Sequence, residues 1–136
     1  MPAIHSVLIV EDNLIVAMVI EDDLRDAGYE VLGPTMRSGP SLDIARSSTI
    51  SLALVDIDLE GGDDGVELAR RLRDEHQVPS LYITGQAAVA RAGKDAALGL
   101  LPKPFTPEQL LEAVAEALKY AATGKVPQTP KAAVWF

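Results

Sequence analysis

The feature that most constrains the fold is a repeated alternation of short apolar runs with helix-like segments. The runs are rich in Val, Ile and Leu without alternating polar residues, which is typical of strands buried on both faces of a parallel sheet. Because helices separate them, the pattern predicts an α/β fold with helices on both faces of the sheet. The five strands are predicted at residues 7–10, 29–32, 51–55, 79–83 and 98–101.

The helical segments between these strands carry boundary signals. Gly28 ends the first helix, because glycine is favoured just after a helix. Thr106 and Gln109 form a capping box around Pro107, which opens the last helix. Helices are predicted over 13–27, 39–47, 65–76 and 86–95, and from 107 onward.

Polar or charged residues follow four of the predicted strands. They are Glu11 and Asp12 after the first strand, Asp56 and Asp58 after the third, Thr84 after the fourth and Lys103 after the fifth. In open α/β sheets, ligands bind beyond the carboxyl ends of the strands, where the strand order reverses. With the order 2-1-3-4-5, the first and third strands are neighbours. Glu11, Asp12 and Asp56 are then expected to converge.

Clustered carboxylates point to a specific chemistry. Several of them cannot stay ionised at close range without a counter-charge, and oxygen ligands select Mg²⁺ or Ca²⁺. One carboxylate beside Mg²⁺ can attack a phosphoryl group and form an aspartyl phosphate. A lysine and a hydroxyl donor would stabilise the anionic group, and Lys103 and Thr84 are of those types.

Taken together, these segments resemble the response-regulator receiver domain of bacterial two-component signalling, over roughly residues 5–122. The matching segments, in the family's order, are VLIVED at 7–12, ALVDIDL at 53–59, YITG at 82–85 and LPKPF at 101–105. The resemblance implies a five-stranded parallel sheet of order 2-1-3-4-5 with helices on both faces. It also implies that the domain itself is not an enzyme, beyond self-phosphorylation and self-dephosphorylation.

The same resemblance implies roles for the residues at the strand ends. Asp56 would accept a phosphoryl group from a histidine kinase or histidine phosphotransfer protein. Mg²⁺ would be held by Glu11, Asp12 and Asp56, with the backbone carbonyl of Asp58 as a further ligand. Thr84 and Lys103 would contact the phosphoryl group. These six residues make up the predicted site.

The last strand and the chain end depart from the usual family pattern. Receivers usually carry an aromatic residue three positions before the lysine, and Leu100 occupies that position here. We predict a receiver domain over 1–123 and an extended tail over 124–136 that holds no effector domain. Output would then pass through a partner protein or a relay step. The tail ends in Trp135-Phe136, which is unusual for a disordered segment.

Two other functional classes remain open at this stage. Asp56-Ile57-Asp58 after an apolar strand also resembles haloacid-dehalogenase-type phosphatases, which hydrolyse through an aspartyl phosphate. Those enzymes need a further acidic pair after the lysine and usually carry the nucleophile near the N-terminus. The third reading is a scaffold that is never phosphorylated, which the complete acidic set disfavours.

Composition limits the partners and the compartment. Twelve Lys and Arg stand against 20 Asp and Glu, so the net charge of −8 makes nucleic acid an unlikely partner. The chain has no cysteine, and therefore no disulfide or thiolate metal site. The longest apolar run, residues 14–20, is too short to span a membrane. No signal peptide precedes it, so a cytoplasmic location is expected.

The same apolar run predicts a docking surface. Seven consecutive apolar residues encircle a helix nearly twice, and only one face can pack on the sheet. By resemblance to receivers, a helical hairpin bearing the phosphohistidine would contact Val16, Val19, Pro104 and Phe105. The alternative is that the last helix of the chain, or a second copy in a homodimer, covers this face.

Overall fold

The structure is a computed structural model that describes residues 4–59, 63–128 and 132–136. Strands and helices alternate along it, as the apolar pattern predicts. The strands are β1 (Ser6–Val10), β2 (Glu30–Thr35), β3 (Leu52–Asp56), β4 (Ser80–Thr84), β5 (Gly99–Pro102) and β6 (Val134–Trp135). The helices are α1 (Leu14–Asp26), α2 (Ser38–Ser47), α3 (Gly65–His76), α4 (Ala87–Ala92) and α5 (Pro107–Thr123).

The sheet has the order β2-β1-β3-β4-β5-β6. The first five strands are parallel, which confirms the predicted 2-1-3-4-5 order. The sixth strand is an addition that the sequence did not predict. It is antiparallel to β5 and comes from the segment interpreted as an extended tail. Its pairing and side-chain contacts are tertiary, so the composition of the tail did not reveal them.

Two apolar layers enclose the sheet. On one face, α1 and α5 pack against the strands through residues such as Ile20, Leu24 and Val114. On the other face, α2, α3 and α4 pack through residues such as Leu42, Leu68 and Ala90. Burial on both sides explains why the strands read as continuous apolar runs.

Helix caps decide where several helices begin. The N-cap of α1 is Asn13, whose side chain accepts a hydrogen bond from the Val16 N–H. Asp64 caps α3 in the same way. Thr106 and Gln109 form the predicted capping box of α5. Since Asn13 supplies the cap of α1, Glu11 and Asp12 are not needed for that purpose.

The fourth helix is shorter than the sequence pattern predicts. The predicted helix 86–95 is only α4 followed by a 3₁₀ turn over Lys94–Ala96, because Gly93 interrupts it. The Gly33–Pro34 and Lys103–Pro104 peptide bonds are cis. The predicted glycine-bearing loop 58–64 falls partly on residues 60–62, which lie outside the described residues. Within the described ranges, no helix combines the length and apolar character needed to cross a bilayer.

Candidate functional site

The three carboxylates predicted to converge lie together at the carboxyl ends of two neighbouring strands. Glu11 and Asp12 follow β1, and Asp56 ends β3. These strands pair directly, with Val10 opposite Val55. One carboxylate oxygen from each of the three residues lies within 4.8 Å of the others. Strand order, rather than sequence proximity, therefore builds the cluster.

Glu11 is the most enclosed of the three acids. It is fully buried, and its Oε1 accepts a hydrogen bond from Lys103 Nζ. Burial, together with Asp56, raises the pKa of Glu11 to about 8, although Lys103 acts in the opposite direction. Its second oxygen, Oε2, is buried without a hydrogen-bond partner among the described residues. A buried acceptor of this kind is costly unless something further satisfies it.

Asp12 lies at the open side of the cluster. It is half-buried, and its side chain is not the cap of α1. Burial and the neighbouring negative charge of Asp56 raise the pKa of Asp12. The ionised form of Asp12 is therefore disfavoured, and its partly exposed carboxylate is open to a cation that would stabilise it.

Asp56 lies between the acids and a lysine. It is 6% exposed, and its Oδ2 is 3.3 Å from Lys103 Nζ. Its Oδ1 accepts a hydrogen bond from the Asp58 N–H at 3.3 Å. The Asp58 side chain itself is exposed and is not part of the cluster. Asp58 therefore contacts Asp56 through its backbone N–H, and the role of its backbone carbonyl as a metal ligand stays a prediction.

Lys103 is held close to the acids by the loop after β5. Burial alone would lower the pKa of Lys103, but Glu11 and Asp56 more than offset this effect and raise it. The lysine is therefore a stable ammonium within the cluster. Its backbone N–H donates to the Thr84 carbonyl at 2.9 Å, which ties the β5 end to the β4 end.

Thr84 ends β4, beside β3 and Asp56. It is almost fully buried, and its Oγ1 accepts a hydrogen bond from the Gln86 N–H at 2.9 Å. The register places Ile83, its neighbour in the chain, opposite Asp56. Because Oγ1 accepts from Gln86, its own hydrogen is available to donate to a group at the site.

The donor set fits a hard divalent cation. Three carboxylates face one ammonium, which leaves two negative charges when all of the groups are ionised. Glu11 Oε2, which has no hydrogen-bond partner among the described residues, adds a buried oxygen that a cation could satisfy. Mg²⁺ takes oxygen ligands from one or two carboxylates together with water and phosphate. The residues present therefore suit Mg²⁺.

An apolar groove adjoins this acidic cluster. It has a volume of about 270 Å³ and contains all four residues of the predicted docking surface. Its lining consists of Ile15, Val16, Val19, Ile20, Lys103, Pro104 and Phe105. Val19 is 52% exposed and Ile15 is 75% exposed. Ile15 is not among the predicted docking residues, although its position four residues before Val19 places both on the same helix face.

Comparison with known proteins gives the same picture. The family model described as "Response regulator receiver domain" matches residues 7–115. Transcriptional regulatory protein TctD of Salmonella typhimurium is 36% identical over 124 residues, covering 88% of this chain and 54% of that protein. Transcriptional regulatory protein PdtaR of Mycobacterium tuberculosis is 27% identical over 113 residues, and the match covers 81% of this chain and 55% of PdtaR. The chain thus spans about half the length of these curated relatives.

Solved structures agree on the fold. The signal receiver domain of a modulated diguanylate cyclase from Desulfovibrio desulfuricans is 30% identical, with a TM-score of 0.81 and coverage of 90% of this chain and 100% of that one. Chemotaxis response regulator CheY4 of Vibrio cholerae is 26% identical, with a TM-score of 0.76 and coverage of 85% and 99%. With its sheet order and the match over residues 7–115, this chain belongs to the response regulator receiver domain family.

Proposed function

We propose that this chain accepts a phosphoryl group on Asp56 from a phosphohistidine of a histidine kinase or histidine phosphotransfer protein, in a reaction that requires Mg²⁺. The observation that carries the proposal is the position of Asp56, with an acidic cluster on one side and the Lys103 ammonium on the other. A carboxylate in this setting is a nucleophile beside groups that can neutralise a phosphoryl anion.

The proposed transfer breaks one bond and forms one bond, and it needs no other reactive group of this chain than Asp56. An oxygen of the Asp56 carboxylate forms a bond to phosphorus while the P–N bond to the donor imidazole breaks. The electron pair of that bond returns to the imidazole nitrogen. Lys103 and the Thr84 hydroxyl contact the oxygens of the transferred group, and Glu11 keeps Lys103 oriented. When bound by Glu11, Asp12, Asp56 and the Asp58 carbonyl, Mg²⁺ supplies charge neutralisation.

The groove beside the site supports a protein donor. Val16, Val19, Pro104 and Phe105 line an exposed apolar surface next to Lys103. Exposed apolar surface beside a reactive group is typical of a docking site. In this proposal a helical hairpin carrying the phosphohistidine lies against the groove. The net charge of −8 supports a protein partner rather than nucleic acid.

Two observations favour this proposal over a phosphatase that uses Asp56 and Asp58. The Asp58 side chain is exposed and lies outside the cluster, where a second catalytic aspartate would be expected. The three glutamates nearest after Lys103 in the sequence, Glu108, Glu112 and Glu116, belong to α5 and are not members of the cluster. A scaffold that is never phosphorylated would not require the charge arrangement around Asp56.

The proposal is tested by labelling with a small phosphodonor. With acetyl phosphate and Mg²⁺, intact-mass measurement should show the gain of one phosphoryl group in the unchanged protein and none in Asp56→Asn. Asp58→Asn is the matched control, because its side chain is exposed, and it should still be labelled. Labelling that persists in Asp56→Asn would overturn the assignment. Continuous hydrolysis of the donor that depends on Asp58 would instead identify a phosphatase.

A further inference from the structure

The C-terminal residues form a strand on the open edge of the sheet. Residues 132–136, here called the tail strand, run antiparallel to β5, with Trp135 opposite Gly99 and Val134 opposite Leu100. The Phe136 N–H donates to the Leu98 carbonyl at 2.9 Å. The tail strand therefore satisfies backbone groups of β5 that would otherwise face solvent at a sheet edge.

Side chains of the tail strand alternate between the two apolar layers. Ala133 and Trp135 pack on the layer of α1 and α5, while Val134 and Phe136 pack on the opposite layer. The Trp135 ring meets Tyr120 edge-on at a centroid distance of 6.1 Å. Tyr120 Oη also donates a hydrogen bond to the Phe136 carbonyl at 2.6 Å. Alternate side-chain pockets combined with backbone pairing are the signature of strand addition.

Gly99 lets the tail strand lie close to β5, because it has no side chain. A Cβ at this position would lie 2.9 Å from Trp135 Cε3 and closer still to the Val134 carbonyl oxygen. The three nearest atoms that it would meet all belong to the tail strand. A larger residue at position 99 would therefore displace the tail strand while leaving the pairing of β5 with β4 free of these clashes.

The described part of the connection between α5 and the tail strand, residues 124–128, is suited to release of the strand. Lys125 and Gln128 are exposed, and Pro127 favours an extended chain over a compact turn. The C-terminal segment and the rest of the chain carry net charges of opposite sign. Residues 124–136 carry two lysines and no acid, whereas residues 1–123 carry ten Lys and Arg against 20 Asp and Glu. Both lysines precede residues 132–136, so attraction to the acidic body acts on the connection and not on the tail strand itself.

We propose that the β5 edge is a strand-addition site that accepts residues 132–136 from a second copy of this chain in exchange for its own. Donor and acceptor lie on the same polypeptide, so a reciprocal exchange uses the same contacts twice and closes a two-fold dimer. Pairing within one chain competes at an effective concentration of about 1 mM. The unchanged protein is therefore a monomer at micromolar concentration, and it exchanges strands as its concentration approaches that value.

The test mixes two full-length variants. Gly99→Val is the donor, because its acceptor edge is blocked and its tail strand is free. Trp135→Asp combined with Phe136→Asp is the acceptor, because its edge is intact and its tail has lost both aromatic contacts. Trp135 is the only tryptophan of the chain, so all tryptophan emission in the mixture comes from the donor. Far-UV circular dichroism of each variant establishes that it is folded, and Gly99→Ala replaces the donor if the valine variant unfolds.

Strand addition predicts a defined set of results. The Gly99→Val protein alone should emit at longer wavelength than the unchanged protein, because Trp135 is released to water. Adding acceptor from about 10 µM to 1 mM should return the emission towards shorter wavelength, with half of the shift reached below about 1 mM because pairing within either chain no longer competes. Sedimentation should show a one-to-one heterodimer in the mixture and monomers in each separate sample.

Three results would overturn the proposal. Unchanged emission in Gly99→Val would show that the tail strand does not depend on this edge. Absence of both a heterodimer and an emission shift in the mixture would show that the edge does not accept a strand from a second copy. Equal dimerisation of either variant alone would place the contact on another surface. None of these results bears on the labelling of Asp56.

Discussion

The acidic site and the β5 edge belong to one sheet but are stabilised by different interactions. At the carboxyl ends of β1 and β3, charged groups oppose one another, and Lys103 balances only part of the negative charge. At the β5 edge, backbone hydrogen bonds and aromatic contacts hold the tail strand without any ion pair among the described residues. The comparison teaches that the site is poised to bind a further group, whereas the edge already has its occupant.

Replacing Lys103 should separate the two regions most clearly. In Lys103→Ala, the rate of labelling by acetyl phosphate should fall about 100-fold, because an ammonium that contacts the transferred group is lost. The emission of Trp135 should not change, since the described contacts of the tail strand are with Gly99, Leu100 and Tyr120. A labelling rate close to that of the unchanged protein would remove Lys103 from the reaction.

Removal of Asp12 should act in opposite directions on metal binding and folding. In Asp12→Ala, the Kd for Mg²⁺ should rise at least about tenfold, because a charged ligand is lost. Without Mg²⁺, the free energy of unfolding should rise by about 1 kcal/mol, since repulsion between Asp12 and Asp56 is relieved. Calorimetric titration and denaturant unfolding measure the two effects. Unchanged Mg²⁺ affinity would place the metal elsewhere.

A substitution in the docking groove should distinguish a protein donor from a small one. In Val19→Asp, transfer from the cognate kinase or phosphotransfer protein should slow about tenfold, equivalent to a loss of about 1.4 kcal/mol of docking energy. Labelling by acetyl phosphate should stay unchanged, because the small donor needs no groove. Val89→Asp is the matched control, since Val89 is 41% exposed on α4, outside the groove. Equal losses with both donors would contradict docking.

The smallest predicted effect concerns the edge. Tyr120→Phe keeps the ring that meets Trp135 but removes the hydrogen bond to the Phe136 carbonyl. The free energy of unfolding should fall by about 1 kcal/mol, the net value of a typical hydrogen bond. Denaturant unfolding measures it, with Tyr29→Phe as the control. Any accompanying change in Asp56 labelling would show that the edge and the acidic site are coupled.

The sequence revealed the acidic region far better than the edge. The apolar runs predicted the strands, and the resemblance supplied the strand order under which Glu11, Asp12 and Asp56 converge. These signals are local, since each lies at the end of one strand. The tail strand depends on Gly99, Tyr120 and Tyr82, which lie far from it in sequence, so no local pattern could reveal it. Asn13, rather than either of the two acids before it, supplies the cap of α1, which leaves both acids for the cluster.

Pro34 in β2 influences which edge of the sheet aggregates when this protein is stored at high concentration. The two outer strands of the parallel sheet are protected by different means. On β2, a proline without an N–H is a permanent interruption to pairing with another molecule. On β5, protection is conditional, because it lasts only while the tail strand is bound. During storage or heating, fibrous or amorphous precipitation should therefore begin at the β5 side of the molecule, and β2 should remain inert.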